Sequence, residues 1–199
     1  MRRIDKLALL LAGVALVGLA SIPAYAHCGK CPADAKEVLK QMDAGKLTAA
    51  SMIATAEADA KGKAVGFVVD LEKDKMDADV FVVAGDKVQA VAIGADGKAG
   101  KKDEVKSMAG ATAVVQAMDA AKVTLGAVVA AAEEKSKGKA LALTSKAEGG
   151  KATFEVYTLA GDKIQKVSVD YAGKAVGMNE ATSLPAAANE EKPKIKPGG

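Results

Sequence analysis

The sequence predicts an α+β protein built from two copies of one unit, each with two helices and a three-stranded antiparallel sheet, the helices packing on one sheet face. An internal repeat is the main evidence. Residues 38–100 align with residues 114–176 at a constant offset of 76 positions, with 25 identities in 63 positions. Self-similarity that keeps one register over this length indicates a module that is present twice.

Each copy opens with a pattern typical of two amphipathic helices. In the second copy, apolar residues at helical spacing predict a helix over residues 103–120. Thr124 is placed to cap the next helix, and Gly138 suits the left-handed conformation that ends one. Thr48 and Gly62 take the same places in the first copy.

Three strands follow the helices in each copy. They are rich in β-branched and aromatic residues, and apolar side chains alternate along them. Gly85-Asp86 and Gly161-Asp162 form two-residue turns of the kind that tight hairpins favour. The predicted strands are 65–69, 79–83 and 87–93 in the first copy, and 141–143, 153–159 and 163–169 in the second.

The first 26 residues have the pattern of a secretory signal. A basic start precedes an apolar stretch at residues 7–19, and Ala24-Tyr25-Ala26 has the small-x-small form that precedes cleavage. The apolar stretch is shorter than the ~20 residues that a membrane-spanning helix needs. We therefore expect a periplasmic or secreted protein that begins at His27 and has no membrane span after cleavage.

The remaining chain divides at the edges of the repeat. Residues 27–32 form a Cys-x-x-Cys segment, 33–100 the first repeat and 101–182 the second. Residues 183–199 lack periodicity and are predicted to be disordered.

Charge and composition exclude nucleic acid as a partner. Removal of the predicted signal takes away three basic residues and one acidic residue, which lowers the formal net charge from +3 to about +1. Binding to nucleic acid depends on many basic contacts to phosphate, and stacking on bases needs aromatic rings. Aromatic residues make up 3% of this chain.

Two segments of the second copy resemble PepSY domains. Residues 169–176 read Val-Asp-Tyr-Ala-Gly-Lys-Ala-Val, similar to that family's closing strand, which ends in Asp before a Gly-Lys turn. Thr124 followed by Ala127-Val128 is similar to its capped opening helix. The first copy departs from this pattern, because Gly94 stands where the second has Asp170.

The resemblance implies a secreted, non-catalytic domain. The tandem arrangement of helices on a sheet is also similar to a secreted β-lactamase inhibitor, which implies binding, with inhibition of a hydrolase as one form of it. The expected partner is an envelope protein or peptide, and the candidate contact residues are Tyr157, Tyr171 and Asp170.

The segment after the signal holds the only histidine and the only two cysteines of the chain: His27, Cys28 and Cys31. Cys28 and Cys31 are spaced for a local disulfide in an oxidising compartment. Together with His27 they also form a donor set for copper or zinc. A thiol redox pair is the third reading, since Pro32 can open a helix whose positive end lowers the pKa of Cys31. The sequence leaves all three open.

No catalytic constellation is predicted elsewhere. With one histidine at the start of the mature chain, a Ser-His-Asp or Cys-His-Asp triad has no second candidate base. The carboxylates between Asp70 and Asp79 alternate with lysines and predict a solvated loop. We therefore expect a non-enzymatic binding protein without a cofactor, and as the alternative a periplasmic metal-binding or thiol redox protein that uses His27, Cys28 and Cys31.

Overall fold

A computed structural model describes residues 31–185, apart from residues 107 and 109. The predicted signal, His27, Cys28 and residues 186–199 of the predicted tail lie outside the described residues.

The described residues form four helices and one eight-stranded antiparallel sheet, an α+β fold. The two halves of the chain have the same order of elements, two helices followed by four strands. The first half contains α1 (Pro32–Ala44), α2 (Ala49–Ala60), β1 (Lys63–Glu72), β2 (Lys75–Ala84), β3 (Lys87–Gly94) and β4 (Ala99–Glu104), and the second contains α3 (Ala111–Ala121), α4 (Leu125–Ser136), β5 (Lys139–Glu148), β6 (Lys151–Ala160), β7 (Lys163–Val169) and β8 (Ala175–Ala181).

The strand order is β4-β3-β2-β1-β5-β6-β7-β8, so the first strands of the two halves meet at the centre. There Phe67 lies opposite Leu143, and Val68 lies opposite Ala142. Phe67 and Leu143 are separated by the repeat offset of 76 positions. Equivalent residues that face each other indicate an approximate twofold axis through the centre of the sheet.

Helices α2 and α4 lie on the same face of the sheet, because they contact each other as well as the strands of their own halves. Lys102, which pairs with Val91, forms an ion pair with Asp59 of α2 at 2.8 Å. The Val91 side of the sheet is therefore the helix-covered side.

No single helix of the described residues is long and apolar enough to cross a membrane. Helices α3 and α4 have the required length and apolarity only when taken together, and they are bent by 79° at their junction.

Each half has four strands, and the prediction of three was wrong in this respect. Strand β4 also crosses the expected boundary between residues 100 and 101. The helix expected over 103–120 begins only at Ala111, because residues 103–104 belong to β4. The apolar residues Val105 and Met108 lie in the connection before α3, where Val105 is 6% exposed.

A helix carboxylate fixes the start of the first strand in each half. The Ala64 N–H donates to Glu57 of α2, and the Ala140 N–H donates to Glu133 of α4, both at 2.9 Å. Each strand has a register shift just after that residue. Because a bulge leaves backbone groups without a ladder partner, these glutamates stabilise the irregular strand starts.

The glycines after α2 and α4 have a different role from the one expected. The left-handed residues are Lys61 and Lys137, with φ of 52° and 57°. Gly138 is needed for space, since a Cβ there would lie 2.5 Å from the Leu159 carbonyl oxygen. A Cβ at Gly62 would likewise lie 2.3 Å from the carbonyl oxygen of Val83.

Gly138→Ala is expected to lower the free energy of unfolding by about 2 kcal/mol or more, because the new methyl group overlaps a backbone oxygen that cannot move independently of β6. Lys137→Gly, one residue earlier, is the control and should change stability by less than about 1 kcal/mol, since glycine adopts the left-handed conformation readily. Urea unfolding of both variants measures the difference. Full stability of Gly138→Ala would contradict the close approach.

Candidate binding face of the sheet

The sheet face turned away from α2 and α4 is called the open face here. On each strand it consists of every second residue, those on the opposite side of the sheet from Val91. Its central members are Gly66, Val68, Phe81 and Tyr157. Directly opposed residues in antiparallel strands project to the same side, so the register assigns these positions to one surface.

A small groove of about 100 Å³ lies at the centre of the open face. Its lining includes Gly66, Val68 and Phe81, with Met108 and Pro185 contributed by the segments that follow β4 and β8. Leu184, which precedes Pro185, is 3% exposed and is separated from Met108 by the repeat offset. Equivalent segments of the two halves thus reach this face and border the groove.

The first half of the open face is acidic. Asp79 lies opposite Val68 and Ala92, and Asp77 lies opposite Asp70. Burial, and then the negative charges of Asp77, Asp103 and Glu72, raises the pKa of Asp79. Burial and Glu72 also raise the pKa of Asp77. This half is therefore a region of concentrated negative charge beside an apolar groove.

The second half carries a different set of side chains at the equivalent positions. Glu155 accepts a hydrogen bond from Lys166 Nζ at 3.1 Å and one from the Tyr157 hydroxyl at 3.4 Å. Burial, followed by the charge of Glu155, raises the pKa of Tyr157, and the contact with Glu155 raises the pKa of Lys166. The phenol therefore stays neutral and half-buried, with its ring beside the centre of the face.

The three predicted contact residues do not form one site. Tyr157 is on β6, whereas Tyr171 is in the turn before β8, where Lys151 Nζ lies 4.7 Å from its ring centre. Lys151 and Tyr157 are six residues apart on one strand, which is about 20 Å. Asp170 also belongs to the turn, where its carboxylate accepts hydrogen bonds from the N–H groups of Ala172 and Lys174, each at 2.9 Å.

Cys31 is the N-cap residue of α1, and within residues 31–185 its thiol has no disulfide partner. The thiol lies 3.0 Å from the Asp34 carboxylate, a buried group with 2% exposure. This hydrogen bond raises the pKa of Cys31. Backbone N–H groups of Asp34 and Ala33 at the helix start lower it, as expected, but the contact with the carboxylate outweighs them. The disulfide and the metal site also need Cys28 and His27, which lie outside the described residues, and both stay predictions. Among the described residues no group of three or more His, Cys, Asp or Glu side chains could hold a metal ion.

No family model matches the chain, and no curated protein matches it. A crystal structure of a protein from Clostridium difficile 630, described provisionally as a lipoprotein, is similar over 65% of this chain and 90% of that one. The sequence identity is 13% and the TM-score 0.38. A similarity of this size defines neither a family nor an activity.

The sequence analysis does not identify Asp77, Asp79 and Phe81 as site residues. It predicts a solvated loop for the carboxylates between Asp70 and Asp79 and begins the strand only at residue 79, whereas β2 begins at Lys75. These three residues lie on β2, where they alternate with the buried side chains of Met76 and Ala78. That alternation is visible in the sequence and is typical of a strand with one buried side.

Asp79→Asn is expected to raise the free energy of unfolding at neutral pH, because a carboxyl group with a raised pKa is ionised less easily in the folded state. The folded protein holds this proton more tightly than the unfolded chain does. Asp79 therefore lowers stability as the pH rises above the ordinary value of 3.8.

The gain from Asp79→Asn should disappear below that pH, which urea unfolding at acidic and neutral pH can measure. Glu148→Gln, at an exposed end of β5, serves as the control and should show little change at either pH. An equal gain from Asp79→Asn at both values would show that ionisation is not the cause.

In a Cys28→Ser background, Cys31 should react with iodoacetamide more slowly at neutral pH than an unperturbed thiol, because its raised pKa reduces the thiolate fraction. Asp34→Asn removes the carboxylate that accepts from the thiol and should speed the reaction. Rates measured across pH separate a pKa effect from a change in access. A rate that Asp34→Asn leaves unaltered at every pH would exclude this carboxylate as the cause.

Proposed function

We propose that this protein is an exported, non-enzymatic, PepSY-like binding protein whose open face receives a protein or peptide of the cell envelope. One observation carries the proposal. The helices cover one side of the sheet, while the other side presents an apolar groove between an acidic half and a half with Tyr157, Glu155 and Lys166.

The groove supplies the apolar centre that a protein interface needs. Phe81 and Val68 are 4% exposed each, so they form a rigid floor rather than mobile contacts. Tyr157 adds a half-buried aromatic ring with a polar tip, the kind of residue that contributes most to binding energy. Apolar centres rimmed by polar groups are the usual anatomy of such interfaces.

The charges around the groove determine the orientation of a bound partner. Asp77 and Asp79 repel anionic groups and attract cationic ones, whereas Lys166 on the other half is paired with Glu155. A partner with a basic end would therefore bind in one direction across the face. Complementary charge of this kind mainly contributes specificity and a faster association rate.

The PepSY assignment is supported by the two segments that carry the resemblance. The Thr124 hydroxyl accepts from the Ala127 N–H at 3.2 Å, as a capped helix requires. Asp170 caps the turn that contains Gly173 and Lys174. The first half builds the same backbone turn with Gly94 in place of Asp170, and Asp96 accepts there from the Lys98 N–H at 3.1 Å. Export is supported by the signal pattern of residues 1–26.

A metal or thiol redox function is the second hypothesis, and the geometry of Cys31 gives it little support. Metal ligation and thiol exchange both need a thiolate, and the contact with Asp34 favours the protonated thiol. The binding hypothesis requires none of the residues His27, Cys28 and Cys31.

Tyr157→Ala should weaken binding of a captured envelope partner by roughly fivefold or more, since truncation of a central aromatic contact commonly costs over about 1 kcal/mol. Affinity capture from an envelope extract identifies the partner, and calorimetry with the purified partner then measures the loss. Lys135→Ala on α4, on the opposite side of the sheet, is the matched control and should bind normally.

The double variant Cys28→Ser/Cys31→Ser separates the two hypotheses. Unchanged partner binding is expected if the open face is the site. A partner that binds Tyr157→Ala and wild type equally, but not the double cysteine variant, would overturn the proposal.

A further inference from the structure

The sheet ends in two edge strands, β4 and β8, which occupy equivalent places in the two halves. Within the described residues each pairs with a strand on one side only. An edge strand therefore presents backbone N–H and C=O groups that another strand can bind. Proteins that must stay monomeric commonly guard such edges with charged side chains, lysine above all.

Strand β4 is guarded in this way. It reads Ala-Gly-Lys-Lys-Asp-Glu, and each of its four charged residues forms an ion pair. Lys102 contacts Asp59 at 2.8 Å, Lys101 contacts Asp103 at 2.8 Å, and Glu104 contacts Lys87 at 3.0 Å. A second strand that paired here would have to approach a dense row of charge.

Strand β8 aligns with β4 at the repeat offset but keeps only the last of these four charged residues, as Glu180. Val176, Gly177, Met178 and Asn179 replace Gly100, Lys101, Lys102 and Asp103. Val176 is 64% exposed and Met178 is 43% exposed. With Tyr171 in the preceding turn, at 45%, they are the large apolar side chains that the described part of the chain leaves exposed. Exposed apolar surface is thus concentrated at one edge of the sheet.

The sequence of β8 is compatible with itself in antiparallel pairing. In a register centred on Met178, the two Met178 side chains face each other across the twofold axis, and Gly177 faces Asn179. Glu180 then lies opposite Val176 rather than opposite the second Glu180, so like charges do not meet. Glu180 is also paired with Lys163 of its own chain at 2.8 Å.

From the contrast between the two edges and this self-complementary register, we infer that β8 is a dimer interface. A second copy of the chain adds its own β8 antiparallel, and the two sheets join into one of sixteen strands. The regular part of β8 after its register shift, residues 177–181, provides the backbone hydrogen bonds. Met178 provides apolar contact at the axis, and the interface is isologous, as in most homodimers.

Sedimentation velocity of the processed chain over a wide concentration range tests the inference. Wild type should show a monomer–dimer equilibrium, and Met178→Lys, which installs the residue that β4 carries at this position, should raise the dimer dissociation constant by tenfold or more. Asp103→Asn, which installs on β4 the residue that β8 carries at position 179, is the control at the other edge and should leave the dissociation constant unchanged. Since Met178 is exposed, the lysine variant is expected to fold, which circular dichroism checks.

Cross-linking tests the register. In a Cys28→Ser/Cys31→Ser background, Met178→Cys should form a disulfide-linked dimer under mild oxidation, because residues directly opposite in antiparallel strands have Cα atoms about 4.5–5.5 Å apart. Asn179→Cys places its two cysteines at diagonal positions, with Cα atoms about 7–8 Å apart, and should link more slowly. A wild type that stays monomeric at every concentration would overturn the inference, as would a dimer that persists in Met178→Lys or links equally well through residue 179.

Discussion

The pairing of β1 with β5 is the contact on which the rest of the structure depends. It consists of two opposed residue pairs centred on Phe67 and Leu143, yet it makes two four-stranded sheets into one. The contact between α2 and α4 and a hydrogen bond from the Ser145 hydroxyl to the Val65 carbonyl oxygen support it. Because the halves meet about an approximate twofold axis, α2 and α4 fall on one side and the segments that bear Met108 and Leu184 on the other. The groove at the centre of the open face follows from this junction.

The repeat, the helix caps at Thr48 and Thr124 and the hairpin turns were readable from the sequence, because each depends on local chemistry. The edge strands were not, since β4 is a run of glycine and charged residues without an apolar alternation. The spacing of Val105 and Met108 fits a helix, whereas both lie in the connection before α3, where Val105 is buried and Met108 borders the groove of the open face. The role of Gly138 is not predictable from the local sequence either. It depends on the close approach of β6, which is a contact between elements distant in the chain.

The two halves have the same residues at several core positions but different residues on the open face. On the helix-covered side, Val80 and Val91 are matched by Val156 and Val167, and all four are fully buried. On the open face, Asp79, Ala90 and Asp103 are matched by Glu155, Lys166 and Asn179. Close packing restricts substitutions inside the core, whereas an uncovered sheet side can vary without loss of the fold. One backbone design therefore presents two chemically different halves, which is what gives the groove a direction.

The open face and the β8 edge are separate surfaces, and their combination has a consequence for binding. Pairing of β8 strands extends the sheet sideways and leaves the groove, which lies at β1 and β5, uncovered in each copy. A dimer would then present two equivalent grooves on one continuous sheet, related by a twofold axis. A partner with two flexibly linked copies of the recognised segment would engage both grooves, and the second contact would form at the high effective concentration set by the first. A weak single site would thus suffice for stable attachment.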